Sequence, residues 1–228
     1  MKAVLFDFGG TIDTNGIHWS EKYWDLYEEF GVGVSKERYE ESFRESERLM
    51  AVDERLRSAS MRDTIRIQLG LQFATLKLTA RDEAVEKMAA SCYRDIGGVI
   101  RRAGEMLRRL KKSYALGVVS NFYGNLEVVC REFGLTPLFD AIVDSAIVGV
   151  RKPDPAIFAH ALRILGIEGR DAYMVGDSYD RDIAPAKSLG CSTIWLKGKS
   201  WTQPRATDAA DFIITSFGQI SDIINVTE

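Results

Sequence analysis

Short apolar runs recur along the chain, and each has the length of a β-strand. The runs are continuous rather than alternating, which is typical of strands covered on both faces of a sheet. Helical patterns lie between most of them, and this alternation predicts βα units in a mostly parallel sheet. The runs are AVLFDF (3–8), ALGVVS (115–120), AIVDS (141–145), AYMVGD (172–177), STIWL (192–196) and DFIIT (211–215).

Two of the intervening helices can be described from their residues. Residues 101–112 combine an apolar stripe with six basic residues, which are predicted to form the solvated face of a helix. A second helix is predicted to have Asp154 as its N-cap, Pro155 at its first position and Gly166 at its end.

The segment 16–95 breaks this alternation, because it contains helical patterns and no convincing strand. We predict that it is a helical domain inserted into an α/β core formed by residues 1–15 and 96–228. Its many charged residues suit a solvated surface with charge pairs one helical turn apart. The four predicted helices span residues 17–30, 36–50, 59–71 and 80–95.

Composition narrows the class of protein. Of the 228 residues, 46% are hydrophobic and 28% are charged, as in ordinary globular proteins. The net charge of −3 gives no electrostatic reason to expect a nucleic acid or an anionic membrane as partner. No apolar run could span a bilayer or serve as a secretory signal, so we expect a cytoplasmic protein. Three dispersed cysteines, Cys92, Cys130 and Cys191, predict packed, reduced thiols.

Polar and charged residues follow four of the predicted strands. Because the carboxyl ends of parallel strands share one edge of a sheet, these side chains are expected to meet there. Gathered carboxylates repel one another unless a cation is present, and hard oxygen ligands suit Mg²⁺. A lysine and a hydroxyl beside such a cation suit a phosphoryl group. The residues are Asp7, Ser120, Asn121, Lys152, Asp177 and Asp182.

The surroundings of these residues differ in how strongly they indicate a site. Lys152 lies in GVRKPDP, where the following proline restricts its backbone to extended geometry and fixes the loop that carries it. Asp177 directly follows a strand, whereas Asp182 lies near the start of a helix and could be only its N-cap. Asp180, between them, is expected to be a solvated loop acid.

The segments DFGGT, VVSN, RKPDP and GDSYDRD, in that order, resemble the motifs of the haloacid dehalogenase-like hydrolases. The resemblance covers the whole chain, and the helical insert lies where one subgroup of this family has its cap domain. It implies a Rossmann-like, three-layer αβα core with a mobile helical cap. It also implies covalent catalysis through an aspartate, most often on phosphate esters with Mg²⁺.

The resemblance assigns roles to individual residues. Asp7 would be the nucleophile and would form an aspartyl-phosphate. Thr11 and Ser120 would donate hydrogen bonds to the phosphoryl oxygens, with backbone N–H groups near Asn121 assisting. Lys152 would neutralise charge on the nucleophile and on the transferred group.

The same resemblance implies a metal site. Asp7 and Asp177 would hold Mg²⁺, and Asp182 would support that site. The position two residues after the nucleophile would add a backbone carbonyl ligand, and here that position is Gly9.

Gly9 is also where the chain departs from the family pattern, which reads DxDGT in most of its phosphatases. The second Asp of that pattern protonates the leaving alcohol and then activates water, and glycine can do neither. General acid–base catalysis contributes about 10²–10⁴-fold, and alkyl phosphates depend on it most. Asp13 and His18 are the candidates for a substitute acid or base.

Three functions stay open at this point. The preferred one is a Mg²⁺-dependent hydrolase of a small phosphorylated metabolite, because the nucleophile, hydroxyl, lysine and metal-binding positions are all present. The second is a hydrolase of activated or non-ester substrates such as acyl phosphates, phosphonates or halides. Relatives that cleave phosphonates use a cap lysine, and Lys22 is the lysine of the first cap helix. The third is a catalytically weak phosphate-binding or regulatory protein.

Overall fold

The computed structural model describes residues 2–79, 81–201 and 207–225. Its strands are β1 (Ala3–Phe6), β2 (Ala115–Ser120), β3 (Ala141–Asp144), β4 (Ala172–Gly176), β5 (Ser192–Leu196) and β6 (Phe212–Ile214). They form one sheet with the order β3-β2-β1-β4-β5-β6, and every neighbouring pair is parallel. The first strand of the chain therefore lies inside the sheet, between β2 and β4.

The register of the sheet brings the ends of its central strands to one level. Phe6, the last residue of β1, pairs with Val118 of β2 and Val175 of β4. Strands β1 and β2 are buried along their whole length, which confirms the burial expected from their continuous apolar runs. The loops that follow β1, β2 and β4 consequently leave the sheet side by side at its carboxyl edge.

Helices surround the sheet and account for the rest of the regular structure. They are α1 (Trp19–Glu29), α2 (Lys36–Met50), α3 (Met61–Thr75), α4 (Arg81–Lys111), α5 (Leu126–Glu132), α6 (Ser145–Val148), α7 (Ala156–Leu165), α8 (Ala184–Ser188) and α9 (Ile220–Ile223). Short 3-10 turns occupy Glu54–Ser58, Thr136–Leu138, Gly169–Asp171 and Phe217–Gln219, and wider helical turns occupy Phe8–Ile12 and Tyr179–Ile183.

The two faces of the sheet belong to two apolar clusters. Along β1, Val4 and Phe6 point into a cluster shared with α4, whereas Ala3 and Leu5 point into a cluster shared with α7. This alternation follows from the two-residue period of a strand. The predicted three-layer αβα, Rossmann-like fold is confirmed.

The three cysteines are packed in the interior, as the sequence predicts. Cys92, Cys130 and Cys191 are buried free thiols, and burial raises their pKa to about 12, 12 and 11. Thiols with such values stay protonated and unreactive at neutral pH.

Among the described helices, none combines the length and the apolar composition that a membrane crossing requires.

The segment between β1 and β2 is helical, as predicted. Helix α2 packs on α3, and α3 packs on α4. The observed bounds of α2, Lys36–Met50, are those predicted, while α1 and α3 each begin two residues later than expected. We call α1, α2, α3 and the first half of α4 the helical block.

Helix α4 corrects one prediction about this block. It runs without a break from Arg81 to Lys111, where two separate helices, 80–95 and 101–112, were predicted. The pair Gly97–Gly98 does not break it, because the buried residues Ile96 and Ile100 continue one apolar stripe across the glycines. Residue 80 lies outside the described residues. The predicted domain boundary between residues 95 and 96 stays a prediction, and it falls inside this helix.

Helix α7 starts close to its predicted position. Its first residue is Ala156, with Pro155 as the N-cap, one residue later than expected. The carboxylate of Asp154 still caps this end, since it accepts a hydrogen bond from the Ala156 amide at 2.9 Å. The helix ends at Gly166, which has the left-handed φ of 66° that favours glycine.

Candidate active site

Asp7 lies immediately after β1 and is the centre of the site. Its amide donates to the carbonyl of Val175 at 2.9 Å, which continues the pairing of β1 with β4 by one residue. Its carboxylate is buried and has three donors around it. Oδ1 accepts from Lys152 Nζ at 2.5 Å and from Ser120 Oγ at 3.2 Å, and Oδ2 accepts from Thr11 Oγ1 at 3.3 Å.

Lys152 bridges two carboxylates from different loops. Its Nζ atom lies 2.5 Å from Asp7 Oδ1 and 2.6 Å from Asp182 Oδ1, and the side chain is buried. Burial alone would lower the pKa of Lys152, but the charges of Asp182 and Asp7 outweigh it and raise that pKa. The lysine is therefore a fixed positive charge at the carboxyl edge of the sheet.

Asn121 holds the backbone of that lysine. Its Oδ1 atom accepts a hydrogen bond from the Lys152 amide at 2.9 Å, and its Nδ2 atom donates to the Lys152 carbonyl at 3.0 Å. The sequence predicted Asn121 as a substrate-binding residue, and its role in contact with substrate stays a prediction. What the geometry adds is that the side chain ties the loop after β2 to the loop that carries the lysine.

The three predicted acids form one cluster. Asp7, Asp177 and Asp182 each offer an oxygen, and these oxygens lie within 4.8 Å of one another. Desolvation raises the pKa of Asp177 well above its usual range, and the charges of Asp7 and Asp182 raise it further. A divalent cation would relieve this repulsion, so the donor set fits Mg²⁺.

The members of the cluster are not equivalent. Both oxygens of Asp182 already accept hydrogen bonds, from Lys152 Nζ at 2.6 Å and from the Ser178 amide at 3.0 Å. In the described part of the chain, the side chain of Asp177 has one donor within reach, the Thr11 hydroxyl at 3.4 Å, whose single proton is shared with Asp7. Asp177 is thus the carboxylate with the most free capacity for a cation, and Asp182 secures the lysine.

The turn Phe8–Ile12 fits tightly against Asp177. Gly10 has a φ of +99°, and a Cβ atom there would lie 2.4 Å from the Asp177 carboxylate. Only glycine satisfies both constraints. The next residue, Thr11, accepts a hydrogen bond from the Asp177 amide at 3.0 Å and thereby connects the turn after β1 to the loop after β4.

Asp13, one candidate for the missing acid, is engaged inside the protein. It is fully buried, and its oxygens accept hydrogen bonds from the Gly10 amide at 2.7 Å and from Trp19 Nε1 at 2.9 Å. Burial raises its pKa to about 7. It does not line the cavity described below, so its evident function is to hold the turn against α1.

His18, the other candidate, does reach the cavity. It is the N-cap residue of α1 and its ring stacks on Trp201 with a centroid distance of 6.2 Å. Burial and then the charge of Arg181 lower its pKa to about 4, so the ring is neutral at neutral pH. Lys22, considered for phosphonate chemistry, is instead ion-paired with Asp95 in a separate groove between α1 and α4.

A cavity of about 540 Å³ connects these residues with the helical block. One side of it, which we call the aromatic wall, consists of Trp19, Tyr23, Phe43 and Trp201. Phe122 and Tyr123 from the loop after β2 also line the cavity. Gly9 lies at the base, where a Cβ atom would be 3.5 Å from the Trp19 ring.

The cavity also contains polar residues that the sequence analysis did not find. Glu47 of α2 accepts hydrogen bonds from Gln68 of α3 at 2.6 Å and from the Tyr123 hydroxyl at 2.8 Å. We call these three residues the Glu47 group. They come from three separate segments, and no local pattern in the sequence marks them as a unit.

Comparisons with known proteins agree with this geometry. The family model for haloacid dehalogenase-like hydrolases matches residues 1–190 of the chain. A bovine protein, haloacid dehalogenase-like hydrolase domain-containing protein 3, is 33% identical over 133 residues, which cover 56% of this chain and 53% of the relative. The glyceraldehyde 3-phosphate phosphatase of Pyrococcus furiosus is 31% identical over 123 residues, covering 52% of this chain and 51% of the relative.

The matches to the curated relatives span about half of their length. Among solved structures, a dehalogenase in an intermediate complex superposes with a TM-score of 0.68 at 19% identity, covering 100% of this chain and 98% of that one. That likeness shows the fold. Together with the family match over residues 1–190, it leads to one conclusion: the chain belongs to the haloacid dehalogenase-like hydrolases.

Proposed function

We propose that this protein is a Mg²⁺-dependent phosphohydrolase that removes the phosphoryl group from a small phosphorylated metabolite through an aspartyl-phosphate at Asp7. The observation that carries the proposal is the environment of Asp7, which has Lys152 at 2.5 Å, two hydroxyl donors and the Asp177 carboxylate nearby. The name of the Pyrococcus relative supports a small phosphorylated substrate.

Each residue around Asp7 has a distinct task in this reaction. A carboxylate oxygen of Asp7 attacks phosphorus, and the bond from phosphorus to the leaving oxygen breaks. The ammonium group of Lys152 stabilises the negative charge that is shared between the nucleophile and the phosphoryl oxygens. The hydroxyl groups of Thr11 and Ser120 can turn from Asp7 to those oxygens when substrate is bound. Water then hydrolyses the aspartyl-phosphate and restores the carboxylate.

A cation completes the charge balance of the site. Asp7 and Asp177 would hold Mg²⁺, with the Gly9 carbonyl as a backbone ligand and Asp182 supporting the site through Lys152. Bound there, the ion would offset the repulsion among the carboxylates and the charge of an incoming phosphate.

The acid cluster favours phosphoryl transfer over dehalogenation, although dehalogenases share the fold. A carboxylate that attacks a carbon–halogen bond needs no cation, because halide departs with its own charge. The Asp177 carboxylate beside the nucleophile would only add repulsion in such an enzyme. It is useful when a divalent cation and a phosphate have to be held together.

Turnover of activated phosphates by the purified protein tests the proposal. We expect hydrolysis of acetyl phosphate and p-nitrophenyl phosphate with Mg²⁺, none after chelation, and loss of activity to background in Asp7→Asn. The matched control is Asp222→Asn, because Asp222 is an exposed acid of α9, and this variant should keep the full rate. Absence of turnover with either compound, while calorimetry still detects bound phosphate, would show a phosphate-binding protein instead.

A further inference from the structure

The cavity extends far beyond the residues that handle the phosphoryl group. Its volume of about 540 Å³ is within the range of sites that enclose ligands of drug-like size, and its walls reach α2 and α3. A phosphoryl group at Asp7 fills only its base. The remaining space has to accommodate the organic part of the substrate, and its lining therefore indicates what that part is.

The aromatic wall gives this space one apolar side, on which Trp19 and Trp201 are partly exposed while Tyr23 and Phe43 are buried. Arg44, Arg48 and Arg181 also line the cavity. Ring centroids lie 5.2 Å apart for Trp19 and Tyr23, 6.2 Å for Tyr23 and Phe43, and 5.3 Å for Phe43 and Trp201. The wall begins directly at the nucleophile loop, because the Trp19 ring lies beside Gly9. Aromatic side chains on the wall favour an aromatic ring, through offset or edge-to-face contact, over an aliphatic chain.

The Glu47 group adds a hydrogen-bond acceptor on the side of the helical block. Both of its internal hydrogen bonds, from Gln68 and Tyr123, reach the same oxygen, Oε1. Across the described residues, Oε2 accepts no hydrogen bond, and Glu47 lines the cavity. The carboxylate is thus held in place with one oxygen left for a ligand.

The charges around Glu47 indicate which kind of donor suits that oxygen. Burial raises the pKa of Glu47, the hydrogen bonds from Tyr123 and Gln68 lower it, and the charges of Arg181 and Arg151 lower it further. Arg181 also lines the cavity. Its charge is therefore already partly balanced from a distance. A neutral N–H or O–H group fits better than a further cation, which the arginines would repel.

Gly9, which lines the same cavity beside the nucleophile, restricts the leaving group. No side chain at this position can protonate a departing alkoxide, His18 is neutral, and Asp13 is buried behind Trp19. A phenolic oxygen can leave as the anion, because its ring delocalises the charge. A ring attached directly to the phosphate oxygen would also lie where the aromatic wall begins.

We infer that the substrate is an aryl phosphate whose ring carries a neutral hydrogen-bond donor that binds Glu47 Oε2. This inference rests on the proposed function. In the first step the bond from phosphorus to the phenolic oxygen breaks as the bond to Asp7 forms, and the phenolate leaves with the electron pair. The phenolate then takes its proton from solvent, and water releases inorganic phosphate from Asp7.

Three phosphates separate the elements of this inference: 4-acetamidophenyl phosphate, phenyl phosphate and cyclohexyl phosphate, of which the last two have rings of similar size. The first has both ring and N–H donor, the second lacks the donor, and the third replaces the ring by an alkyl leaving group. We expect kcat/KM to fall about tenfold from the first to the second, and about 10²-fold or more from the second to the third. Equal kcat/KM for phenyl and cyclohexyl phosphate would overturn the inference.

The variant Glu47→Gln tests the donor contact, since Gln68 and Tyr123 both donate to the Oε1 position and would hold the amide oxygen there. The NH2 group, which cannot accept a hydrogen bond, would then take the place of Oε2. The variant should remove the preference for 4-acetamidophenyl over phenyl phosphate. Glu41→Gln, the same change on the exposed side of α2, should retain it. A preference that survives in Glu47→Gln, or is absent from the unmodified protein, would show that Glu47 does not bind the donor.

Calorimetry on Asp7→Asn keeps this test independent of turnover and of the proposed function. Removing the carboxylate charge should permit 4-acetamidophenyl phosphate to bind without reacting, about tenfold tighter than phenyl phosphate, and the added change Glu47→Gln should abolish the difference. If acetyl phosphate is not hydrolysed by the unmodified protein, the proposed function fails, and this binding difference alone decides the donor contact. If acetyl phosphate is hydrolysed and the two aryl phosphates bind equally, only the inference fails.

Discussion

Gly9 and Gly10 are neighbours that differ in their tolerance for a side chain. Gly10 has a positive φ and lies against Asp177, so any Cβ atom would collide with the carboxylate. Gly9 has φ −78° and ψ 112°, which other residues adopt freely, and a Cβ atom would make ordinary contact with Trp19. The missing acid of the first motif is therefore a difference in chemistry that the backbone would permit to be reversed.

The substitution Gly9→Asp should raise kcat/KM for alkyl phosphates such as cyclohexyl phosphate by about tenfold or more, since general acid catalysis contributes about 10²–10⁴-fold when it is well placed. Turnover of acetyl phosphate, whose leaving group needs no proton, should change little. Steady-state kinetics with both substrates measures the difference. Gly9→Ala is the control for the added bulk, and an equal gain in that variant would show that the carboxyl group is not responsible.

At the scale of secondary structure, α4 is the element that joins the helical block to the sheet. It packs on α3, and buried residues from both of its halves belong to the cluster on one face of the sheet. Gly97 and Gly98 lie near its middle, where added Cβ atoms would come no closer than 3.9 Å and 3.8 Å to their neighbours. Glycine weakens a helix interior because it gives up more conformational freedom on folding than alanine does.

The substitutions Gly97→Ala and Gly98→Ala should each raise the free energy of unfolding by about 0.5–1 kcal/mol, because alanine fits and favours the helix. Urea unfolding followed by circular dichroism measures the change. Gly117→Ala in β2 provides the contrast, because its Cβ atom would lie 2.7 Å from the Leu5 side chain and should destabilise the protein. Destabilisation by the two helix variants would mean that α4 requires a bend at the glycines.

Elements that are determined by neighbouring residues could be predicted from the sequence, whereas elements that are determined by tertiary packing could not. The alternation of strands and helices was predictable, because continuous apolar runs and capping residues are local signals. Helix α2 was predicted at its observed bounds for the same reason. The continuity of α4 was not, since the glycine pair reads locally as a break and only the burial of Ile96 and Ile100 overrides it.

The same distinction holds for the site. Asp7, Ser120, Lys152 and Asp177 were expected to meet because each follows a strand of one parallel sheet, and the structure brings them together. The Glu47 group could not be predicted, since its members come from α2, α3 and the loop after β2. The packing of α2 and α3 over that loop decides which of their polar residues face the cavity.

For the molecule as a whole, the proposed cation site at the carboxyl edge of the sheet would link folding to the binding of a cation. Lys152 offsets only part of the carboxylate charge there, and the oxygens of the three acids lie within 4.8 Å of one another. The unfolded chain separates these residues and binds Mg²⁺ weakly. An ion that binds the folded state stabilises it by an amount that grows with its free concentration.

We therefore expect Mg²⁺ at about 100 times its dissociation constant to stabilise the protein by about 2.7 kcal/mol, which raises Tm by about 5–10 °C for a chain of this size. Differential scanning calorimetry with and without chelator measures the shift. It should disappear in Asp177→Asn and persist in Asp222→Asn. An equal shift in both variants would locate the stabilising ion elsewhere on the protein.

Because α4 is unbroken, it restricts where insertions and deletions can be tolerated in the chain. Each residue added to an α-helix turns everything beyond it by about 100° and advances it by about 1.5 Å. A single insertion in the middle of α4 would swing Glu47 away from Asp7, whereas insertions in the loops between α1, α2 and α3 would leave the two in place. We therefore expect related chains to vary in length at those loops, and to alter α4 only by nearly whole numbers of turns.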